Sequence, residues 1–300
     1  MTGFVATIGM FDGVHIGHQF VLQHVMETAQ ERGLQSMAIT FDHTLRGGLV
    51  LTPLEDKLQL IAQTGIDRTE VLAFTEELRQ LSAREFMEQQ LKERLNVKVL
   101  LIGYDNRFGH NRTEGFDDYV RYGQELGIEV RNLPPAPLSL APQYTSPVTH
   151  TLSSSLIRQL LVGGKVASAA EGLGHLYSIT GNVIHGEHIG TQMGFPTANI
   201  QLLCDCQLIP APGVYAVRVT LEVKGKQLEV GGMMNIGKRP TFDGQQETLE
   251  VHLFQLHEDL YGQQLKVSFV DRLRDEQRFD TLEALKRQLT KDAQRAQELL

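Results

Sequence analysis

The first half of the chain alternates short apolar runs with longer segments of helical spacing. The runs that predict strands are Val5–Gly9, Ser36–Phe41, Glu70–Phe74, Val97–Gly103 and Ile128–Leu133. The segments that predict helices between them are Gln19–Arg32, Leu54–Gln63, Ser82–Leu95 and Phe116–Leu126. Because strands that alternate with helices are joined by right-handed crossovers, we expect this half to form a parallel α/β sheet.

The second half changes to a period of two after a proline-rich stretch. Alternating patterns run through Val217–Val223, Leu249–Phe254 and Lys266–Val270, and Gly225 stands where a hairpin turn is needed. Short strands with turn signals and no helices between them predict a small antiparallel barrel. The apolar stripe of a closing helix consists of Leu282, Leu285 and Leu289.

Length and composition indicate two globular domains. At roughly 150 residues per domain, 300 residues suffice for two cores. The pair Gly163–Gly164 ends a short predicted helix, so we expect a domain of residues 1–164 and another of residues 165–300. The two cysteines, Cys204 and Cys206, are too few for a disulfide framework or a zinc site, and two ordinary thiols are expected.

Charge and hydropathy limit the class of partner. The formal net charge is −8, which argues against a protein that coats nucleic acid or an anionic membrane. No apolar run approaches the roughly 18 residues of a membrane helix, and the first residues lack the pattern of a signal peptide. We therefore expect a soluble cytoplasmic protein that binds small molecules, with no nucleic-acid or membrane partner, as a monomer or weak homo-oligomer.

The most informative local pattern is the segment Gly9–His18, between the first strand and the first helix. Its glycines are Gly9, Gly13 and Gly17. Ligands of open α/β sheets bind at the carboxyl ends of strands, and a helix N-terminus there favours phosphate. His15 and His18 add two side-chain donors to the same loop, which suits transfer of a nucleotidyl group without a protein nucleophile.

Two further segments could converge on the same edge. Gly103–Gly109 follows the fourth strand of the first half and contains Asp105. Ser153–Ser155 opens the short helix that also carries Arg158, so hydroxyls, backbone N–H groups and a guanidinium could hold a phosphate chain.

These three segments, read as F-D-G-V-H-x-G-H, G-x-D-x-x-F-G and S-S-S-x-I-R, resemble the FAD synthetase module of prokaryotic bifunctional riboflavin kinase/FAD synthetases. The resemblance implies a Rossmann-like nucleotidylyltransferase domain that adenylylates FMN. It implies that His15 and His18 are catalytic. The residues expected to bind nucleotide and phosphate are Gly9, Phe11, Asp12, Gly13, Gly17, Asp105, Ser154, Ser155 and Arg158.

The segment Gly194–Asn199 is unusual for a plain strand because Pro196 removes a ladder donor. Thr197 and Asn199 lie two apart, so on an extended chain they face the same way. A hydroxyl and a carboxamide oxygen are hard ligands that suit Mg²⁺, with ATP phosphates completing the shell. Glu250 and His252 likewise share one face of a predicted strand, where a carboxylate can act as general base.

The patterns G-F-P-T-A-N, N-I-G-x-R-P-T-F, L-E-V-H-L-F, D-L-Y-G and L-R-D-E-x-x-F resemble, in order, the riboflavin kinase module of the same family. The resemblance implies a six-stranded antiparallel barrel with a C-terminal helix. It implies that Thr197 and Asn199 hold Mg²⁺ and phosphate, together with Gly194 and Pro196, and that Glu250 activates the 5′-hydroxyl of riboflavin. The expected flavin contacts are Asn235, Arg239, Arg274 and Phe279.

The sequence therefore predicts a bifunctional enzyme that makes FMN from riboflavin and ATP, and then FAD from FMN and ATP, with Mg²⁺. Three departures from the family pattern keep alternatives open. The P-H-P motif is missing after Thr40–Asp42, Asn106 replaces an aromatic residue, and Thr191 stands where a basic residue is common. One alternative is a riboflavin kinase with a decayed adenylyltransferase half, and another is a non-enzymatic flavin or nucleotide sensor.

Overall fold

The computed structural model describes residues 3–42, 48–104, 106–136, 152–185, 194–241, 244–256 and 258–300, with backbone alone for 238–241 and 244–246. Contacts between Cα atoms divide these residues into two compact units. The first unit contains the described residues through 136 and Leu152–Ser154, and the second runs from Ser155 to Leu300. The expected domain boundary at Gly163–Gly164 stays a prediction.

The first unit is a parallel sheet with helices. Its strands are β1 (Phe4–Ile8), β2 (Gln35–Phe41), β3 (Arg68–Leu72), β4 (Val97–Ile102) and β5 (Glu129–Asn132). Its helices are α1 (Ile16–Arg32), α2 (Leu54–Gln63), α3 (Glu76–Gln80), α4 (Ala83–Phe86) and α5 (Phe116–Leu126). The strand order β3-β2-β1-β4-β5, with every pair parallel, confirms the expected α/β fold.

Local signals explain where several helices begin and end. Gly33 adopts a left-handed φ of 62° at the end of α1, and its N–H donates to the carbonyls of Ala29 and Gln30. Ser82 and Glu85 form the capping box that the sequence predicts before α4. The predicted helix through Leu95 continues from α4 as a π-helical segment, Met87–Arg94.

The sheet of the first unit is buried on both faces. Ala6, Ile39 and Leu100 belong to one apolar cluster, whereas their neighbours Val5 and Ala38 belong to another. Adjacent residues of one strand thus pack on opposite sides of the sheet. This explains why the strands read as near-continuous apolar runs and leaves the strand ends as the place for polar residues.

The second unit contains a closed antiparallel barrel of six strands, which confirms the expected fold. Its strands are β6 (Ser178–Ile184), β7 (Ala198–Leu202), β8 (Gly213–Val223), β9 (Lys226–Thr241), β10 (Gly244–Leu253) and β11 (Gln264–Arg274). Their order around the barrel is β10-β7-β6-β11-β8-β9. Its helices are α6 (from Ser154, which groups with the first unit, to Val162), α7 (Val166–Leu173) and α8 (Leu282–Leu299).

Two expectations about the second unit are wrong. Leu289 of the predicted stripe packs against the apolar cluster that contains Ala296, but Leu282 is 60% exposed, because it lies at the first position of α8 after the capping residue Thr281. Cys204 and Cys206 form a disulfide rather than two thiols, because the turn between them brings their Cα atoms to 5.1 Å.

Candidate functional sites

The loop after β1 has a strained backbone. Phe11 and Val14 have φ angles of 50° and 39°, a region that side chains rarely adopt, and both residues are buried. Gly13 has a φ of 84°, which glycine adopts without penalty. A Cβ at Gly17 would lie 3.1 Å from the ring of His15, so glycine lets the two residues approach closely. The loop holds its shape at an energetic cost, as binding loops often do.

His15 and His18 form a stacked pair at the start of α1. Their ring centroids are 3.7 Å apart, with planes 17° from parallel. His15 is the capping residue of the helix, and its Nδ1 accepts a hydrogen bond from the N–H of His18 at 3.3 Å. Because Nδ1 accepts, the proton of the neutral ring is on Nε2, which becomes the donor. The structure thus brings together the two histidines that the sequence singled out.

Burial makes both histidines neutral near pH 7. Desolvation lowers the pKa of His15 from 6.5 to about 4. Desolvation, and then the charges of His15 and Lys57, lower the pKa of His18 well below 6.5. Nδ1 of His18 is buried and has no hydrogen-bond partner among the described residues. The pair can therefore supply directed hydrogen bonds to an anion without a positive charge of its own.

Asp12 stabilises the loop through hydrogen bonds of its side chain and its backbone carbonyl. It is 7% exposed, and its Oδ1 accepts hydrogen bonds from the N–H groups of Leu51 and Thr52 at 2.9 and 3.1 Å. Its backbone carbonyl accepts a hydrogen bond from Oγ of Ser154 at 2.8 Å. The predicted phosphate-binding residues Asp12 and Ser154 are therefore in direct contact.

The loop after β4 also meets β1. The side-chain amide of Asn106 donates to the carbonyl of Ile8, the last residue of β1. Asn106, which replaces an aromatic residue of the family pattern, thus ties the two strand ends together. Phe108 of the same motif is buried and stacks on Tyr119 at 4.3 Å.

Some predicted positions of this site are not tested by the described structure. Asp105 and the segment after Asp42 where the P-H-P motif is missing lie outside the described residues. Ser155 and Arg158 group with the second unit, so their role at the phosphate loop stays a prediction.

In the barrel, three polar residues form a row across neighbouring strands. Glu250 of β10 pairs with Asn199 of β7 on one side and with Asn235 of β9 on the other. Directly opposed residues of an antiparallel ladder share a face, so the carboxylate lies between two carboxamides. Leu249 and Val251, the neighbours of Glu250, are buried on the opposite face. The register thus brings together residues that lie far apart in the sequence.

The segment before β7 lies against the same row. Thr197 Oγ1 lies 3.5 Å from Oε2 of Glu250, within donating distance. The carbonyl of Pro196 accepts from Nδ1 of His252 at 2.8 Å, and the His252 ring packs edge-on against Phe195. Gly194 begins the turn with a φ of 84°. Pro196 lies outside the ladder, as its missing N–H requires.

A cavity of about 460 Å³ adjoins Thr197. Its lining is mostly apolar, with two carboxylates at one side. The lining residues are Val183, Pro196, Thr197, Ala198, Val251, Leu253, Leu256, Glu258, Asp259, Leu260 and Tyr261. The size suits a nucleotide or a flavin ring, and the hydroxyl of Thr197 connects the cavity with Glu250.

Of the residues predicted to contact the flavin, Arg274 and Phe279 lie beside the terminal helix. Arg274 forms a buried ion pair with Asp292 of α8 at 2.8 Å, and its guanidinium lies 5.7 Å from the ring centre of Phe279. The pair fastens the terminal helix to β11, so Arg274 has a structural partner whether or not it also meets a flavin. The side chain of Arg239 and the position of Thr191 lie outside what the structure describes.

The donor set of the barrel site fits a cation held mainly by substrate phosphates. Among the described residues, no cluster of three His, Cys, Asp or Glu side chains could hold a metal ion alone. Thr197 and Asn199 offer neutral oxygens beside the carboxylate of Glu250. Mg²⁺ is commonly bound by one or two protein oxygens together with phosphate and water.

The α/β unit has a stacked histidine pair at a strand–helix junction, and the barrel unit has a carboxylate beside a hydroxyl. Together these sites indicate an enzyme with two units that each transfer phosphate-containing groups from nucleotides. The family model described as "FAD synthetase" matches residues 1–141, and that described as "Riboflavin kinase" matches residues 173–300. The chain belongs to the bifunctional riboflavin kinase/FMN adenylyltransferase family.

Relatives match nearly the whole chain. Bifunctional riboflavin kinase/FMN adenylyltransferases from Escherichia coli K12, Pseudomonas fluorescens and Bacillus subtilis are 37%, 38% and 34% identical. The matches cover 99%, 99% and 97% of this chain and 92%, 93% and 91% of theirs.

A solved structure has the same fold. A crystal structure from Streptococcus pneumoniae, described as a macrolide-efflux protein, is 29% identical and superposes with a TM-score of 0.86. The superposition covers 99% of this chain and 95% of that one. Within the ranges that the structure describes, no helix is both long and apolar enough to cross a membrane.

Proposed function

We propose that the barrel unit transfers the γ-phosphate of ATP to the 5′-hydroxyl of riboflavin, which forms FMN and ADP. The row of Asn199, Glu250 and Asn235 carries this proposal, because it presents one carboxylate between two carboxamides, within reach of the hydroxyl of Thr197, which lines the cavity. Glu250 accepts the proton of the 5′-hydroxyl while the hydroxyl oxygen bonds to the γ-phosphorus and the bond from that phosphorus to ADP breaks. The Thr197 hydroxyl orients the carboxylate before the transfer.

Mg²⁺ fits this site as a partner of ATP. Oγ1 of Thr197 and the side-chain oxygen of Asn199 would hold it, and a bound Mg²⁺ neutralises charge on the phosphates. The two protein oxygens lie at the end of the segment that His252 holds through Pro196. The protein therefore contributes placement of the phosphates next to Glu250.

We propose that the α/β unit transfers the adenylyl group of a second ATP to the phosphate of FMN. A phosphate oxygen of FMN bonds to the α-phosphorus as the bond to pyrophosphate breaks. His15 Nε2–H and the ring of His18 hydrogen-bond phosphate oxygens at the N-terminus of α1, where the helix dipole also favours anions. Positioning and these hydrogen bonds suffice, because the incoming phosphate is already a nucleophile.

One product assay tests both halves. The purified chain is incubated with riboflavin, ATP and Mg²⁺, and the flavins are separated by chromatography. FMN followed by FAD is the expected result, and chelation of Mg²⁺ should stop both steps. FMN without FAD would indicate the decayed adenylyltransferase half, whereas nucleotide binding without turnover would indicate a sensor.

Location and assembly stay parts of the proposal. A cytoplasmic monomer or weak homo-oligomer accords with small-molecule substrates and with a site in each unit built from its own residues. Size-exclusion chromatography with light scattering at several concentrations would test the assembly state.

A further inference from the structure

Lys57 is a buried charge beside the loop after β1. It belongs to none of the motifs that resemble the family. It lies on α2 and is 6% exposed. Its Nζ donates to the carbonyl of Phe41 at 2.9 Å and to that of Met10 at 3.3 Å. Met10 belongs to the loop after β1, and Phe41 is the last residue of β2. The ammonium therefore joins the ends of two adjacent parallel strands at the ligand edge.

The contact is reciprocal. Asp12 of the loop accepts from the N–H groups of Leu51 and Thr52, just before α2, and Lys57 of α2 donates back to the loop at Met10. We name the Asp12 and Lys57 contacts together the Asp12–Lys57 clasp. The Met10 carbonyl also accepts from the hydroxyl of Thr40 at 3.2 Å. Two donors thus fix one peptide group of the loop that leads to His15 and His18.

The charge of Lys57 is balanced within the protein. Burial lowers the pKa of Lys57, while the nearby carboxylates of Asp12 and Asp42 raise it. Asp42 in turn accepts from the N–H of Phe74 at 2.9 Å. The two carboxylates offset much of the field that the ammonium would exert at a bound phosphate. Its consequence for the ligand is geometric.

An apolar side chain could fill this position without burying a charge, and a buried ammonium costs free energy unless it is paired and hydrogen-bonded. Lys57 donates its hydrogen bonds to backbone carbonyls of the loop and of β2 rather than to solvent. The carbonyls of Met10 and Phe41 therefore point at a buried ammonium rather than at a ligand. Carbonyl oxygens that pointed outward there would repel phosphate.

We propose that Lys57 is a positioning residue for adenylyl transfer, which holds the Met10 carbonyl inward and thereby sets the histidine loop in its binding shape. The inference rests on the proposed function of the α/β unit. A misplacement of about 1 Å at a reacting group can cost on the order of 100-fold in rate. The bound substrates gain affinity from many other contacts, so the loss is expected in kcat rather than in KM.

The test compares Lys57→Met with Lys57→Arg and with Lys92→Met, a matched change at an exposed lysine of the same unit. FAD formation from FMN is measured on the full chain, and FMN formation from riboflavin serves as internal control. For Lys57→Met we expect kcat for FAD formation to fall about 10- to 100-fold, with KM for ATP and FMN within about threefold. Lys57→Arg, which keeps the charge and its donors, should recover part of the rate.

A second readout tests whether the charge of Lys57 acts on the histidine pair, and hydrogen exchange tests the fold. Lys57 is one of the charges that lower the pKa of His18, with His15 the other charge and desolvation the largest cause. The carboxylates of Asp12 and Asp42 face Lys57 in the same cluster. NMR titration of the histidine rings should therefore show a higher pKa for His18 in Lys57→Met than in the wild type or in Lys92→Met. This readout applies even if the wild type forms no FAD, in which case the proposed function fails separately.

The inference is overturned if Lys57→Met matches Lys92→Met in kcat and in the His18 titration. It is also overturned if hydrogen exchange shows the sheet of the α/β unit unfolded in proportion to the lost rate, since Lys57 would then serve stability alone. A loss of kcat with native exchange protection of β1 and β2 supports it.

Discussion

Glu250 and Asn199 lie directly opposite each other on β10 and β7, so a carboxylate and a carboxamide share one face of the barrel. Thr197, two residues before Asn199, places its hydroxyl 3.5 Å from the same carboxylate. A proton acceptor and the two neutral oxygens suited to a phosphate-bound cation thus occupy one patch. The ladder register holds the arrangement before any substrate is present.

Glu250→Gln should stop FMN formation while supplied FMN is still converted to FAD. The amide keeps the shape of the side chain but does not accept a proton, and loss of a general base costs about 100- to 10,000-fold. Glu247→Gln, an exposed glutamate on the same strand, is the matched control and should leave both rates unchanged. Equal loss of both products in Glu250→Gln would contradict separate sites.

His18→Ala should abolish FAD formation and spare FMN formation. The substitution removes one ring of the stacked pair and a directed donor at the loop, which is worth on the order of 100- to 1,000-fold in a comparable donor site. His24→Ala, six residues further along α1, is the control and should retain both activities. A His18→Ala enzyme that makes FAD at the control rate would exclude the histidine pair from the chemistry.

The stability of the α/β unit should fall as the pH drops from about 6.5 toward 4. In the folded state burial lowers the pKa of His15 from 6.5 to about 4, so the unfolded chain binds the proton first. Acid therefore favours unfolding, and stability that is complete above pH 6.5 is lost below it. A shift of this size corresponds to about 3 kcal/mol when fully developed. Urea unfolding followed by hydrogen exchange in β1 to β4 measures it.

His15→Gln should flatten this pH dependence, because the amide side chain does not titrate. His110→Gln, outside the loop, serves as control and should keep the wild-type slope. Identical slopes in the wild type and His15→Gln would show that His15 is not held neutral by burial.

Asp292→Ala should destabilise the barrel unit by about 3 kcal/mol, because it leaves Arg274 without its buried partner. Thermal unfolding of the full chain measures the change. Glu298→Ala, which breaks an exposed pair with Arg295, should leave the midpoint unchanged. If Asp292→Ala unfolds like the control, the ion pair does not anchor α8.

Sequence patterns were sufficient where the chemistry is local. The histidine loop spans ten consecutive residues, and its glycines and histidines signal a strand–helix junction directly. Family resemblance extended the prediction to both folds, which the structure confirms. The barrel row was identified residue by residue, but the pairing of Glu250 with Asn199 and Asn235 depends on how distant strands close the barrel.

What the sequence missed involves long-range contacts. In the sequence, α1 and β2 separate Lys57 from the loop whose Met10 carbonyl it contacts. A lysine within a helical pattern normally indicates a solvent-exposed face of the helix. Asn106 departs from the aromatic residue of the family pattern, and the sequence does not indicate that its amide donates to the carbonyl of Ile8 at the end of β1. The disulfide between Cys204 and Cys206 depends on a turn that composition does not reveal.

The central claim is that one chain performs two successive transfers from two ATP molecules. Phosphorus NMR of a reaction with riboflavin, ATP and Mg²⁺, read together with flavin chromatography, tests it most directly. One ADP for each riboflavin phosphorylated and one pyrophosphate for each FAD formed are the expected result. FMN and ADP without pyrophosphate, or no turnover of either flavin, would contradict it.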